Sequence, residues 1–133
     1  MKKQLVIGLF GLATIVTSCD KHKEHYGTYN ALETRTYDGE MMAGNVDLSD
    51  QSYELIVEAR NKEEIVLKNL YEEGTAVMTQ IDGAVLTIRR QSLDGFLEIT
   101  GDGTIQEGVI NLDYNVITPD GNVICDLSAN KLE

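Results

Sequence analysis

Glycine-containing turns between short β-prone runs constrain this chain more than any other feature of its sequence. Four of these turns place an acidic residue before glycine: Asp82-Gly83, Asp94-Gly95, Glu107-Gly108 and Asp120-Gly121. Glycine accepts positive φ and aspartate tolerates the left-handed region, so such pairs favour tight hairpins. The turns begin at residues 82, 94, 107 and 120, 12 to 13 residues apart. This spacing predicts an antiparallel meander of short strands that closes into a barrel or a sandwich.

Two further Asp-Gly pairs fit this spacing less simply. Asp38-Gly39 predicts another turn in the first part of the chain. Asp102-Gly103 follows Gly101 and interrupts the regular spacing. Glycine on both sides of an aspartate inside a β-prone run predicts a β-bulge or a sharp bend within a strand pair.

Apolar and polar residues alternate along the same runs. Ile110, Leu112 and Tyr114 share one side of a strand, and Asn111 and Asp113 share the other. Period two with one polar side indicates strands that bury one face. We expect strands near residues 26–36, 42–48, 52–59, 64–70, 75–81, 84–91, 96–105, 109–118 and 122–128. The predicted core comprises Leu55, Val57, Ile65, Leu67, Val77, Leu86, Ile88, Leu97, Ile99, Ile110, Leu112, Tyr114, Val116, Val123 and Leu127.

The segment 49–73 admits two interpretations. Its apolar residues, including Tyr53, Ile56 and Leu70, stand at rough helical spacing. They also fit period two, which gives strands 52–59 and 64–70 with a turn at Asn61-Lys62. Several of these residues are β-branched, so we favour the two strands over the helix.

The first nineteen residues have the layout of a secretory signal peptide. Two lysines precede an apolar run at residues 5–16, and small residues lead to Cys19. The run is within the length of a signal-peptide apolar region and shorter than the roughly 20 residues that a membrane-spanning helix needs. Gly8, Gly11 and Thr14 interrupt it, which disfavours the alternative of an uncleaved signal anchor.

Val16-Thr17-Ser18-Cys19 resembles the bacterial lipobox, although Val16 and Thr17 depart from its commonest residues. The resemblance implies cleavage after Ser18 and acylation of Cys19, the one predicted modification site. Two or three acyl chains anchor a protein stably, whereas one binds only marginally. We therefore expect a lipoprotein of the bacterial cell envelope, most simply of the outer membrane, with the face left open. The expected organisation is a signal peptide at 1–18, a polar lipid-anchored tether at 19–25 and one domain at 26–133.

Charge excludes one class of partner. The chain has 11 Lys and Arg against 22 Asp and Glu, a net charge of −11, and loss of Lys2 and Lys3 with a signal peptide would make it −13. Phosphate binding needs clustered cations, so nucleic acid is not expected as a partner. Acyl chains on Cys19, rather than basic residues, would attach the protein to the membrane.

No catalytic set is recognisable. The two histidines, His22 and His25, both lie in the predicted tether, which leaves the domain without a histidine for a triad or a zinc site. Cys125 alternates with Val123 and Leu127, as a small buried hydrophobe would. The acidic residues lack the calcium-loop pattern, and no phosphate loop is present. We therefore predict no cofactor, no metal site and no catalytic residues.

The order of these runs resembles small bacterial lipoproteins with a calycin-like (lipocalin-like) barrel. The matching segments are Tyr-x-Gly-Thr-Tyr, Gln-Ile-Asp-Gly-Ala-Val-Leu-Thr-Ile and Val-Ile-Asn-Leu-Asp-Tyr-Asn-Val, together with the runs around residues 65–70 and 99–105. The resemblance implies an all-β antiparallel meander barrel of about eight strands. A barrel of this size either fills itself with side chains or holds one small ligand.

These observations leave three functional hypotheses. The first is a non-enzymatic envelope module that binds a small apolar ligand or a partner protein. The second is a hydrolase that uses clustered carboxylates, and the third is an inhibitor-like barrel with a protruding loop near residues 38–44. The ligand-binding residues are not identifiable from the sequence. The aromatic candidates for binding are Tyr26, Tyr29, Tyr37, Tyr53, Tyr71 and Phe96, each of which also suits the core or the barrel rim.

Overall fold

The structure, a computed structural model, describes residues 21–39 and 48–132. Eight antiparallel strands follow one another in order and close into a barrel, because β1 pairs with both β2 and β8. The strands are β1 Gly27–Gly39, β2 Gln51–Asn61, β3 Glu64–Lys68, β4 Ala76–Asp82, β5 Val85–Asp94, β6 Leu97–Gln106, β7 Val109–Thr118 and β8 Gly121–Lys131. The predicted all-β meander barrel is confirmed, and it is compatible with a calycin-like fold.

Consecutive connections alternate between the two ends of the barrel. We call the end at which β1 begins the N-terminal end, and the other the distal end. The β2–β3, β4–β5 and β6–β7 hairpins lie at the N-terminal end with the end of β8. The distal end carries the β1–β2, β3–β4, β5–β6 and β7–β8 connections.

Alternation along every strand fills the barrel interior. Along β7, Ile110, Leu112, Tyr114 and Val116 are buried, while Asn111 and Asp113 are exposed. Of the predicted core residues, all are buried except Leu97, which is only partly buried and packs against the core. Leu97 directly follows the exposed turn at the β5–β6 connection, so solvent reaches one side of it.

The strand interpretation of the segment 49–73 is confirmed. Residues 51–61 and 64–68 are strands, and the chain then makes a 3-10 turn at Leu70–Glu72, where strand had been expected as far as Leu70. Asp38 and Gly39 do not form a turn, since both pair with β8 at the end of β1. The predicted strand 42–48 and the loop expected near residues 38–44 fall mostly at 40–47, outside the described residues.

The glycines of β6 mark a close approach between strands. Gly101 and Gly103 face the interior opposite Tyr114 and Leu112 of β7. A Cβ atom at Gly101 would lie 2.5 Å from the Cβ of Tyr114. The predicted irregularity lies in the β5–β6 pair, and the extra residue is in β5. The register shifts between Ile88, which pairs with Gly101, and Gln91.

The chain entering β1 closes the N-terminal end. Residues Lys23–His25 form a 3-10 turn, and the imidazole of His22 hydrogen-bonds the carbonyl of Lys62 at 2.7 Å. Tyr29 donates its hydroxyl hydrogen to the carbonyl of His25 at 2.8 Å. His22 and His25 are only 5% and 8% exposed. Lys21, Lys23 and Glu24 are exposed, as expected of a solvated tether, but the two histidines are buried, because Tyr29 and the Lys62 carbonyl supply contacts that local sequence cannot show.

Three aspartates form a ladder on the outer face of the barrel. Asp102, Asp113 and Asp126 stand directly opposite one another on β6, β7 and β8. Loss of solvent, the charge and hydrogen bond of Asp126 and the charge of Asp102 all raise the pKa of Asp113. Like charges at directly opposed positions destabilise a sheet.

Replacement of Asp113 with asparagine should therefore raise the free energy of unfolding at pH 7 by about 0.2–1 kcal/mol. A carboxyl whose pKa is higher in the folded state destabilises the protein as pH rises from its unfolded value, near 3.9, through its folded value. The difference in the free energy of unfolding between Asp113→Asn and the natural chain should therefore become smaller as the pH is lowered from the folded pKa of Asp113 to its unfolded pKa. Urea unfolding of both proteins across this range measures the difference, and a gain that grows on acidification would contradict the assignment.

Candidate functional site at the distal end

Two charged residues occupy interior positions of β1. Tyr29 and Ala31 set the inward phase of the strand, and Glu33 and Arg35 continue it toward the distal end. The side chain of Glu33 is fully buried and that of Arg35 is 7% exposed. Buried charges are rare in barrel interiors unless they are paired and hydrogen-bonded, so this pair needs an explanation beyond packing.

Glu33 is the centre of a satisfied hydrogen-bond network. Arg35 Nε donates to Glu33 Oε2 at 2.7 Å. The hydroxyl of Tyr53 donates to Glu33 Oε1 at 2.7 Å, and the hydroxyl of Tyr114 donates to the same oxygen. Burial, followed by neighbouring negative charge, raises the pKa of Tyr53. The carboxylate therefore has three donors from three different strands, and both tyrosines remain protonated donors.

The guanidinium of Arg35 lies over the ring of Tyr71, with 3.9 Å from its carbon to the ring centroid. Burial lowers the pKa of Arg35, but the hydrogen bond and charge of Glu33 outweigh it and the net direction is upward. Among the described residues, its only other hydrogen bond runs from one terminal nitrogen to the Tyr71 carbonyl at 3.5 Å. Among the described residues, the other terminal nitrogen of Arg35 has no acceptor. The stacked cation, whose side chain is 7% exposed, thus keeps one terminal nitrogen without an acceptor in the described part of the chain.

Tyr71 reaches Arg35 from a strained connection. We call residues 69–75, which join β3 to β4, the strap. Tyr71 and Glu72 adopt φ values of 62° and 59°, and Asn69 adopts 74°. The fourth positive φ of the strap is at Gly74, where glycine adopts it without strain, whereas at Tyr71 a bulky side chain must adopt it. Left-handed backbone at a bulky residue costs of order 1–3 kcal/mol and concentrates at functional sites.

Asn69 and Tyr53 hold the strap in place. The amide of Asn69 donates to the carbonyl of Glu54 at 2.9 Å, and its side-chain oxygen accepts from the Gly74 amide at 3.0 Å. The amide of Tyr71 donates to the hydroxyl of Tyr53 at 3.1 Å. Thr75 Oγ1 is the one buried side-chain oxygen or nitrogen without a hydrogen-bond partner in the described part of the chain. The strap is therefore fixed at its base and strained at its tip.

We call Glu33, Arg35, Tyr53, Tyr71 and Tyr114 the distal cluster, and the rim of the barrel around it is acidic. Carboxylates stand in the described distal loops and at the adjoining strand ends: Asp38, Asp50, Glu72, Glu73, Asp94 and Asp120. The loop residues 48–50, 69–75, 95–96 and 119–120 contain no lysine or arginine, and Lys68, at the adjoining end of β3, is paired with Glu58. Burial and then the hydrogen bond with Asp94 raise the pKa of Glu73. Phe96, in the β5–β6 turn that follows Asp94, is 87% exposed.

The predicted site residues meet different outcomes. Cys19 lies outside the described residues, as does the whole predicted signal peptide. Cys125 is fully buried, as its alternation predicted, and burial raises the pKa of its thiol to about 12. Within residues 21–39 and 48–132, no group of three histidine, cysteine or acidic side chains is placed to hold a metal ion. None of the helical turns in those ranges has the length and apolar character of a membrane span.

Of the aromatic candidates, the cluster includes two, Tyr53 and Tyr71. Glu33 and Arg35 were missed by the sequence analysis. The signal was present, because both stand in the inward phase of β1 that Tyr29 and Ala31 define. Two successive charges on the apolar side of a strand are a departure from alternation that marks a buried polar site.

In comparisons with known proteins, no family model, no curated protein and no solved structure matched this chain.

Proposed function

We propose that this chain is a lipid-anchored protein of the bacterial cell envelope and a non-enzymatic module that binds a partner protein with the distal end of its barrel. The observation that carries the proposal is the position of the strained strap and buried Arg35 at the end opposite the N-terminal turn. Residues 21–25 pack on the N-terminal end. An acylated Cys19, two residues before Lys21, would therefore hold that end toward the membrane and turn the cluster outward.

The filled interior favours a partner protein over a small apolar ligand. Tyr29, Leu55, Leu67 and Leu112 belong to one continuous buried cluster that runs through the barrel. The described residues also form shallow depressions, which border the N-terminal end or the outer face, and one of those on the outer face reaches Asp50 of the β1–β2 connection. An interior occupied by its own side chains leaves surface recognition as the main binding mode.

The exposed aromatic at the distal rim supports the same reading. Large aromatic side chains supply much of the energy at protein interfaces, and an exposed one surrounded by polar residues is typical of a contact site. Phe96 meets this description, with Asp94 at the start of its turn.

The alternative of a carboxylate hydrolase is less well supported. Such an enzyme would need an acidic pair inside a cleft, and Asp94, the hydrogen-bond partner of Glu73, is exposed.

Two measurements on cells that express the full chain test the proposal. Labelled palmitate should enter the protein and should not enter a Cys19→Ala variant. A photo-cross-linking amino acid in place of Phe96 should give a discrete protein adduct. The same amino acid in place of Val85, which is 53% exposed in a hairpin at the N-terminal end, is the matched control. Absence of acylation would refute the anchor, and adducts equal at both positions would refute distal recognition.

Native mass spectrometry separates the two kinds of ligand. We expect the purified chain to carry no additional small molecule beyond its own acyl groups. A co-purified apolar compound would overturn the partner-protein version and restore the ligand-carrier version.

A further inference from the structure

The contacts of Tyr71 have the form of a bound ligand. Its ring stacks on a buried cation, its carbonyl faces a terminal nitrogen of that cation at 3.5 Å, and its amide donates to a buried tyrosine hydroxyl at 3.1 Å. An aromatic ring, a carbonyl and an amide in one unit are the groups of any aromatic residue in a peptide. We propose that Tyr71 occupies a recognition site that an aromatic residue of a basic partner segment takes in its place. This inference rests on the proposed function and names the chemistry of its partner.

Tyr71 can move away from Arg35 while Asn69 and Leu70, at the start of the strap, stay fixed to the barrel. Leu70 is fully buried, and Asn69 is bonded to β2 and to Gly74. The ring of Tyr71 is only partly buried, and its backbone is in the left-handed region. Rotation of Tyr71 away from Arg35 would release backbone strain, and it would lose the stacking contact, the contact of its carbonyl with Arg35 and the hydrogen bond of its amide to Tyr53. A peptide whose aromatic residue restores these three contacts therefore competes with Tyr71 on nearly equal terms.

The site beneath Tyr71 needs no rearrangement to receive such a residue. Glu33, Tyr53 and Tyr114 satisfy one another and hold Arg35 by its Nε atom. The terminal nitrogen of Arg35 without an acceptor among the described residues remains for the incoming peptide. Groups already locked in place bind without paying the entropy of ordering.

The acidic distal rim determines which residues flank the aromatic residue of the partner segment. The rim carboxylates include Glu72 and Glu73, beside Tyr71 in the strap, and the described distal loops contain no lysine or arginine. A segment with lysine or arginine on each side of its aromatic residue would complement this rim, and an acidic segment would be repelled. Aliphatic residues would forfeit the stacking contact with the guanidinium.

The test is an NMR titration of the isotope-labelled full chain in detergent, followed at the Arg35 Nε–H resonance. The probes are blocked tripeptides: Lys-Tyr-Lys, Lys-Ala-Lys and Glu-Tyr-Glu. We expect a saturable shift with the first, none with the second and at least about tenfold weaker binding of the third. Tyr71→Gly removes the occupant and lets the backbone keep its positive φ, so it should bind Lys-Tyr-Lys about tenfold or more tightly.

Glu107→Gly is the matched control, since Glu107 also has a positive φ, of 53°, but lies at the N-terminal end. It should leave the affinity unchanged. No Arg35 shift in either the natural chain or Tyr71→Gly would overturn the inference, as would weaker binding by Tyr71→Gly. Equal binding of the acidic peptide would overturn the basic partner. Cross-linking at Phe96 is independent of these results, so the proposed function can stand when this inference fails.

Discussion

Glu33→Gln is expected to lower the free energy of unfolding by about 3–5 kcal/mol, the typical effect of removing one partner of a buried ion pair. Glutamine keeps the size of the side chain and an acceptor for the hydroxyls of Tyr53 and Tyr114. It removes the charge opposite Arg35, whose side chain is 7% exposed. An uncompensated guanidinium then remains in the interior. Urea unfolding at neutral pH measures the loss.

Two further proteins show whether the orphaned charge is the cause. Glu54→Gln, an exposed position on β2, should change stability by less than about 0.5 kcal/mol. Arg35→Met added to Glu33→Gln should recover about 1–3 kcal/mol, because it removes the unpaired cation. A double variant less stable than Glu33→Gln alone would show that packing around Arg35, and not its charge, dominates.

Gly103→Ala should be the most damaging small change in the sheet. Its Cβ atom would overlap the backbone oxygen of Asn111 and lie 2.8 Å from the Cα of Leu112. Neither backbone atom can move without breaking the β6–β7 ladder, in which Gly103 pairs with Leu112. We expect a loss of about 3 kcal/mol or more, at the upper end of overpacking effects. Thermal and urea unfolding report it directly.

Thr104→Ala is the control for that substitution. Thr104 is the next residue of β6, is exposed and pairs with Asn111. Its replacement should alter stability by less than about 0.5 kcal/mol. Comparable losses for the two variants would mean that β6 responds to any change in composition, and the close approach at Gly103 would not be the explanation.

The distal cluster shows where sequence reasoning ends. The inward phase of Glu33 and Arg35 follows from alternation in β1, a local property. Their partners lie far away in sequence: Tyr53 is 20 residues from Glu33, and Tyr114 is 81. Which of several inward tyrosines meets Glu33 depends on the stagger of eight strands around the barrel. That stagger is a property of the closed sheet and not of any one run.

The turns and the burial of one face were decided locally. Acidic-Gly pairs can adopt positive φ with little strain, as at Gly83, Gly95 and Gly108, and period-two alternation forces apolar side chains to one side of each strand. These two properties determine a meander with a core, whatever its surroundings. The strap at Tyr71 follows neither rule, since a bulky residue there adopts a left-handed backbone that no local preference predicts. Only the closed barrel, with Arg35 beneath the ring and the Tyr53 hydroxyl beneath the amide, supplies the contacts that offset this strain.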